Sequence, residues 1–310
     1  MIQQAADSVE RCDLCGAGDV ALCAGGLRRC RRCGLLWGAP AAGPALSDYA
    51  PHRPARVPHG RLWAWRRALK RVALAAGRGY PAALSPAARL AGRLLACLAA
   101  LPLQRVPAWV AGGRLLDAGC GNGSYVAAMR ALGWDALGLE PALEAALLGE
   151  RVIVGRIERA PLAGASCDVI TLWHVLEHTA SPAAALAEAR RLLRAGGALL
   201  LEVPDIGSFQ ARLFGRRWLH LDPPRHRYHF TRRTLRAYLQ RAGFIEIRIW
   251  SAPSPVGIAG SLGMLLGRPA LAESRLARAL CWPAAGIEAL AGRGGCLRAA
   301  ARRGDKHEHA

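Results

Sequence analysis

Residues 113–123 read GRLLDAGCGNG, and this stretch decides the fold. Leu115 and Leu116 lie in an apolar run of the length and composition of a short buried strand. Glycines follow the strand at positions 119, 121 and 123. Because glycine has no Cβ, such a loop lets a ligand approach the backbone closely and leaves the N-terminus of the next helix accessible. The stretch therefore predicts a strand, a ligand-binding turn and a helix, in that order.

Strands and helices alternate through the rest of the chain. Further strands are expected at residues 135–140, 151–154, 167–172, 198–203, 245–250 and 296–302. Ser181 and Pro182 are typical of a helix start, and Gly196 and Gly197 mark the expected end of that helix. This alternation predicts a parallel sheet covered by helices, with ligands bound at the carboxyl ends of the strands.

Glu140 is the last residue of the strand expected at residues 135–140, which has the sequence DALGLE. A carboxylate in that place can accept hydrogen bonds from both hydroxyls of a ribose, and it disfavours a 2′-phosphate. The spacing of the loop, Gly-x-Gly-x-Gly after Asp117, also differs from the Gly-x-Gly-x-x-Gly of nucleotide-binding dehydrogenases.

Several motifs occur in one order: LLDAGCGNGSY, GLEP, DVITLWHVLEH, LEVP and HLDPPRHRYHFT. In these motifs the chain resembles the class I S-adenosylmethionine-dependent methyltransferases, and in particular the branch with LWHVLEH. The resemblance implies an α/β fold, with a Rossmann-like seven-stranded sheet in the order 3-2-1-4-5-7-6. It also implies that the seventh strand is antiparallel.

The resemblance further implies a site for S-adenosylmethionine. The glycine loop would wrap the methionine part, Glu140 would hold the ribose, and Trp173 and His174 would lie near the sulfonium. The implied set is Asp117, Gly119, Cys120, Gly121, Gly123, Glu140, Ile157, Trp173 and His174. The chain departs from many relatives at Arg156, where they carry an acidic residue next to the expected adenine contact.

Methyl transfer to an oxygen or nitrogen that holds a proton requires a base, and the candidate groups are mostly histidines. The candidates are His174, Glu177, His178, His226 and His229. We place His174 and His226 nearest the chemistry. The alternative for His178 and His229 is a structural role, in which their rings bond backbone carbonyls and hold the loops.

The N-terminal region contains two Cys-x-x-Cys pairs, each followed by glycine. Cys12 and Cys15 form the first pair, and Cys30 and Cys33 form the second after 14 intervening residues. Four thiolates from two tight turns provide the ligands of a structural zinc ion, and a site filled by protein ligands leaves no position for catalysis. The pattern predicts a small N-terminal zinc ribbon.

These features suggest a division of the chain. The expected units are a zinc ribbon at 1–38, a linker at 39–60, a helical extension at 61–112, a methyltransferase domain at 113–302 with a helical lid at 251–295, and a disordered tail at 303–310.

Composition narrows the possible partners. Hydrophobic residues make up 52% of the chain, yet no apolar run is long enough for a membrane span, and the N-terminus does not resemble a signal peptide. We expect a cytoplasmic protein and leave peripheral membrane contact open. The net charge is +20, but it is spread over the whole length and therefore does not favour a nucleic-acid partner.

The predicted activity is methyl transfer from S-adenosylmethionine to a small molecule or saccharide, on oxygen, in a cell-surface polysaccharide or secondary-metabolite pathway. One alternative is an RNA methyltransferase that uses the zinc ribbon and the arginines to bind phosphates. Another is an assembly protein that binds the cofactor without turnover. The sequence leaves the identity of the acceptor and the oligomeric state open.

Overall fold

The structure is a computed structural model. It describes residues 11–23, 26–38, 61–82, 84–98, 105–147, 149–223 and 225–304, without the side chains of 61–67, 95–98 and 145. The expected linker at 39–60, and all but the first two residues of the expected tail, lie outside the described residues.

The secondary structure alternates as the sequence predicts. The strands are β1 (Val20–Leu22), β2 (Arg28–Cys30), β3 (Leu36–Trp37), β4 (Arg114–Ala118), β5 (Asp135–Glu140), β6 (Val152–Val154), β7 (Cys167–Trp173), β8 (Leu193–Pro204), β9 (Tyr228–His229), β10 (Phe244–Ala252) and β11 (Cys296–Arg303). The α-helices are α1 (Arg61–Arg78), α2 (Pro86–Leu98), α3 (Ser124–Arg130), α4 (Leu143–Ala146), α5 (Pro182–Leu192), α6 (Phe209–Phe214), α7 (Arg232–Arg241), α8 (Pro255–Leu265) and α9 (Arg275–Leu290).

Seven strands form the main sheet, in the order β6-β5-β4-β7-β8-β11-β10. Counted along the chain from β4, this is the predicted order 3-2-1-4-5-7-6. Strands β4 to β8 pair in parallel, whereas β11 runs antiparallel to both of its neighbours. The α/β fold and the antiparallel seventh strand are therefore confirmed.

The central strands are apolar along most of their length because both faces of the sheet are covered. Leu115 and Leu116 of β4 and Ile170 and Leu172 of β7 are fully or almost fully buried. Burial of this kind leaves only the ends of the strands accessible to a ligand.

Helix α5 begins as the sequence predicts. The Ser181 hydroxyl accepts a hydrogen bond from the Ala184 amide at 3.1 Å, and Pro182 occupies the first turn. The helix ends earlier than expected, at Leu192, and the chain enters β8 at Leu193. The predicted end, at Gly196 and Gly197, lies about four residues beyond the observed one because Leu193 pairs with Cys167 of β7, a tertiary contact that overrides local helix propensity.

A second, four-stranded sheet has the order β1-β2-β3-β9. Its first three strands belong to the cysteine-rich segment, here called the cysteine module (residues 11–38). Strand β9 comes from the segment between β8 and β10, and His229 pairs with Leu36. The cysteine module is thus joined by backbone pairing to the larger part of the chain.

Asp13 anchors the cysteine module to two helices of the main sheet. One carboxylate oxygen accepts from the Ser181 hydroxyl at 2.6 Å. The other accepts from the Ala183 amide at 3.1 Å and from the Tyr238 hydroxyl at 2.9 Å. The Asp13 carboxylate therefore connects the cysteine module to the start of α5 and to the middle of α7.

Helices α8 and α9 lie between β10 and β11, in the segment expected to form a lid. Their outer surfaces carry large apolar side chains, among them Leu280 at 73% exposed and Leu290 at 91%. Within the described part of the chain, no helix combines the length and the apolar character needed to cross a bilayer.

Candidate active site at the carboxyl ends of the strands

A cavity of about 130 Å³ opens at the carboxyl ends of β4, β5 and β7. Its walls are Gly119, Gly121, Glu140, Pro141, Gly155, Arg156, Ile157, Glu158, His174, Val175, His178 and Thr179. The position agrees with the rule that open parallel sheets bind ligands beyond the carboxyl ends of their strands.

The glycine loop follows β4 with a backbone that favours glycine. Gly119 has φ +73°, and a Cβ on this residue would overlap the side chain of Val175. Gly121 has φ 53°, also in the left-handed region. A side chain at position 119 is therefore opposed by both the backbone conformation and the neighbouring residue.

Glu140 ends β5 on the opposite side of the loop. One carboxylate oxygen accepts from the Gly121 amide at 2.8 Å, and the other accepts from the Ala142 amide at 3.0 Å. The two amides fix the orientation of the carboxylate, while each oxygen keeps capacity for a further donor. Glu140 can therefore accept two hydrogen bonds from a ligand in the cavity.

Asp117 lies behind the glycine loop and is only 2% exposed. Burial raises the pKa of its carboxyl to about 7, although the Thr171 hydroxyl donates to it at 2.6 Å and opposes that rise. Asp117 and Glu140 together give this end of the cavity an acidic character, which suits a ligand with a positive charge.

His174 forms the wall where β7 ends, with φ 57° in the left-handed region. Its Nδ1 lies 3.2 Å from a Glu177 oxygen, and its Nε2 lies 2.9 Å from a Glu202 oxygen. Burial alone lowers the pKa of His174, but contacts with the Cys296 thiol and the two carboxylates raise it well above its ordinary value. Both ring nitrogens therefore carry protons and donate, so His174 is poorly suited to accept another proton.

Glu202, in β8, is the centre of a buried ion cluster. Besides His174 it accepts hydrogen bonds from Arg105 and Arg298. Burial alone raises the pKa of Glu202, but His174 and the two arginines hold it far below its usual range. Its charge is therefore fully compensated by groups of the protein.

Glu177 lies on the other side of His174 and is completely buried. Burial alone raises its pKa, but His174 and two further histidines hold that pKa at about 2, so the group is ionised. Its second oxygen, Oε2, has no hydrogen-bond partner among the described residues.

His178 and His226 pack together beside Glu177, with ring centroids 4.6 Å apart. Nδ1 of His178 lies 3.0 Å from the Arg225 carbonyl oxygen, and Nδ1 of His226 lies 2.7 Å from the His220 carbonyl oxygen. Because a carbonyl oxygen only accepts, both rings carry their proton on Nδ1 in these bonds. Burial lowers the pKa of His226, which favours its neutral form.

Most of the predicted site residues gather around the cavity. Those on its walls are Gly119, Gly121, Glu140, Ile157, His174 and His178. Those that lie near it without forming its walls are Asp117, Cys120, Gly123, Trp173, Glu177 and His226. His229 is buried in β9, where it pairs with the cysteine module.

The ion cluster around Glu202 was not predicted from the sequence. Glu202 follows an apolar strand run, as Glu140 does, and that shared pattern could have indicated it. Arg105 and Arg298 carried no comparable signal, because each lies more than 90 residues from Glu202 in the chain. His220, whose burial lowers its pKa to about 3, was also missed although it belongs to the HLDPPRHRYHFT motif.

The four cysteines of the two pairs converge. Cys12 and Cys33 Sγ atoms are 3.4 Å apart, and Cys15 and Cys30 Sγ atoms are 3.5 Å apart. A tetrahedral zinc ion with bonds of about 2.3 Å requires sulfur–sulfur separations of roughly 3.8 Å, so a small expansion fits the ion. The four thiols can therefore hold zinc.

Comparison with known proteins identifies the larger part of the chain. A family model described as a methyltransferase domain matches residues 88–247. A malonyl-[acyl-carrier protein] O-methyltransferase of Serratia marcescens is 34% identical over 121 residues, covering 37% of this chain and 47% of that protein. A tRNA U34 carboxymethyltransferase of Trichlorobacter lovleyi is 32% identical over 158 residues, covering 44% and 46%.

The chain thus spans about half the length of these two relatives. Among solved structures, an S-adenosylmethionine-dependent methyltransferase from Thermotoga maritima, titled a possible histamine N-methyltransferase, is 20% identical. It covers 66% of this chain and 88% of its own, with a TM-score of 0.46.

Proposed function

The chain belongs to the methyltransferase-domain family, and from that membership we propose that it transfers a methyl group from S-adenosylmethionine to an acceptor at the cavity. The observation that carries the proposal is the pairing of Glu140 with the glycine loop. Its carboxylate is fixed by two backbone amides beside a cavity whose nearest walls are Gly119 and Gly121.

The cofactor would lie along the glycine loop, with Asp117 and Glu140 on one side of it and the end of β7 on the other. Glu140 would accept from the ribose hydroxyls, and Asp117 would face the positively charged methionine end. Ile157 and Arg156 would border the adenine, with His174 and Trp173 near the sulfonium. The acidic character of this end of the cavity supports the assignment, because the cofactor carries a sulfonium and an ammonium group.

The methyl acceptor would be an oxygen of a small molecule or saccharide. The sulfonium supplies the leaving group, so the protein has to align the acceptor, exclude water and deal with the acceptor's proton. Because both nitrogens of His174 donate to carboxylates, we assign it a positioning role. The group beside the cavity that can act on the proton is the cluster of Glu177, His178 and His226.

Calorimetric titration of the full chain tests the proposal. We expect saturable binding of S-adenosylmethionine and of its demethylated product, and methyl transfer when extracts or purified saccharides are supplied as acceptors. A flat titration with both compounds would overturn the proposal. Binding without turnover on any acceptor would favour the cofactor-binding assembly role instead.

A second candidate acceptor is RNA. One of the two relatives is named a tRNA U34 carboxymethyltransferase, and in this chain the zinc ribbon and the arginines would supply the contacts to phosphates. Binding of tRNA that weakens steeply as salt rises, together with methyl transfer to it, would support this candidate. Absence of tRNA binding at low salt would exclude RNA as the acceptor.

We further propose that the cysteine module is a zinc ribbon in which the metal is structural, and that the chain belongs to the LWHVLEH branch. The convergence of four thiols supports the metal assignment. Elemental analysis of the purified protein should find zinc, and substitution of Cys12 or Cys30 by serine should reduce its content.

The outer surfaces of α8 and α9 suggest peripheral contact with the cytoplasmic face of a membrane. Leu276, Leu280 and Ile287 are each more than two-thirds exposed, and Arg275 and Arg278 lie on the same helix. Such a surface suits an anionic bilayer. Flotation with anionic liposomes should recover the protein, and a Leu280→Glu variant should float less.

A further inference from the structure

The second oxygen of Glu177, Oε2, is a buried acceptor with no hydrogen-bond partner among the described residues. Its carboxylate is completely buried, and the neighbouring His174 bonds only Oε1. Leaving a carboxylate oxygen unpaired away from water is unfavourable, so such an atom calls for an explanation. A cation at Oε2 would supply one.

The two histidines beside Glu177 have the arrangement of metal ligands. Each ring donates from Nδ1 to a backbone carbonyl oxygen, at 3.0 Å for His178 and 2.7 Å for His226. Histidines that ligate metals generally make such a bond with the other nitrogen, because it fixes both the tautomer and the ring orientation. The lone pair is then on Nε2.

The possible ligand atoms of Glu177, His178 and His226, one from each residue, all lie within 4.8 Å of one another. A fourth possible ligand atom, Oδ2 of Asp222, lies 3.9 Å from Nε2 of His226. A cation placed among these atoms would be shared by all three residues. Ligand bonds of about 2.0–2.2 Å would be reached by a small inward movement of the side chains.

From this convergence we propose that Glu177, His178 and His226 bind a divalent transition-metal ion. Two imidazoles and one carboxylate suit zinc, iron(II), cobalt(II) or manganese(II), and they leave coordination positions for other ligands. The ion would be separate from any metal held by the cysteine module.

A second group of possible ligands, His174, Glu202 and Cys296, differs from the first because its carboxylate already has cationic partners. Arg105 and Arg298 already bond the Glu202 carboxylate, and His174 donates to it as well. The positive charge that a metal would provide is therefore present in the protein. No hydrogen-bond donor reaches Oε2 of Glu177 within the part of the chain that the structure describes.

If the chain is a methyltransferase, as proposed above, the ion would take part in the reaction at the cavity. His178 is both a wall of the cavity and a ligand of the proposed ion. An acceptor hydroxyl that coordinates the ion would have a lower pKa and would pass its proton to solvent water more readily. Its oxygen would then form a bond to the methyl carbon as the bond to the sulfonium breaks, and the demethylated cofactor would leave as a neutral thioether.

Equilibrium dialysis of the full chain against Co²⁺ alone tests the site. Total metal per chain, zinc plus cobalt, is then counted by elemental analysis. We expect Glu177→Gln and His226→Gln each to hold one ion fewer than the unsubstituted protein. Subtracting the absorption spectrum of each cobalt-loaded variant from that of the unsubstituted protein gives the spectrum of the missing ion. This difference spectrum should lack the intense thiolate charge-transfer bands that a four-cysteine site produces.

His229→Gln is the matched control, because it changes a neighbouring buried histidine outside the cluster and should keep the full metal content. Circular dichroism identifies any variant that fails to fold, and the partly exposed His178→Gln then replaces it. Equal metal content in the unsubstituted protein and in every folded variant would overturn the proposal. Because the assay contains no S-adenosylmethionine, its outcome is independent of the calorimetric test of methyl transfer.

Discussion

The two sides of the cavity are built by different means. On the glycine-loop side, Glu140 is held by amides 19 and 2 residues away in the chain. On the histidine side, Glu202 is held by Arg105 and Arg298, which are 97 and 96 residues away. The first side is a product of local backbone geometry, whereas the second exists only after distant segments have come together.

The largest effect should follow from breaking the histidine side at its centre. Glu202→Gln leaves two arginines and a protonated histidine without their carboxylate, and loss of one partner from a buried ion cluster costs about 3–5 kcal/mol. Denaturant unfolding measures the free energy of unfolding. Glu150→Gln, which removes a 94% exposed partner of Arg130, is the control and should change it by less than about 1 kcal/mol.

The glycine-loop side should break next most easily, at Gly119. Gly119→Ala combines a left-handed backbone, which costs a side chain about 1–2 kcal/mol, with overlap against Val175. We expect cofactor binding to fall below detection by calorimetry. Gly112→Ala has the same type of backbone, with φ +61° and no atom within 4 Å of the added Cβ. Equal loss of binding in both variants would contradict the role of the close approach to Val175.

A change confined to hydrogen bonding on that side should be smaller. Glu140→Ala removes the acceptor proposed for the ribose, so affinity for S-adenosylmethionine should weaken by about 1–3 kcal/mol. The exposed Glu144, in the helix that follows, provides the control substitution Glu144→Ala. Unchanged affinity in Glu140→Ala would mean that this carboxylate only orders the loop.

The smallest effect should come from the contact between the cysteine module and the histidine side. Asp13→Asn keeps an oxygen but loses the charge that three donors share, so stability should fall by about 1 kcal/mol. Because Asp13 contacts α5 and α7 and not the glycine loop, cofactor affinity should stay constant. Asp19→Asn, at an exposed site in the same module, serves as the comparison. A parallel loss of cofactor affinity would show that the two sides are not separable.

The same contrast explains what the sequence could predict. Strand order, the glycine loop and the position of Glu140 follow from apolar runs and from residues close together in the chain, and the structure agrees with them. The sequence suggested His174 as a base, but contacts with two buried carboxylates keep it protonated. Glu177 is three residues away in the chain, whereas Glu202 lies in the neighbouring strand β8, and no local pattern indicates that second contact. The end of α5 was misplaced for a similar reason, since pairing between Leu193 and Cys167 determines it.

The shared sheet has a practical consequence for dissecting the protein. Deleting the chain up to residue 38 would strip β9 of its neighbour and expose a bare strand edge, which promotes self-association. The excised piece would likewise lose the fourth strand of its sheet. Single-residue substitutions are therefore a safer way than truncation to assign separate roles to the cysteine module and to the rest of the chain.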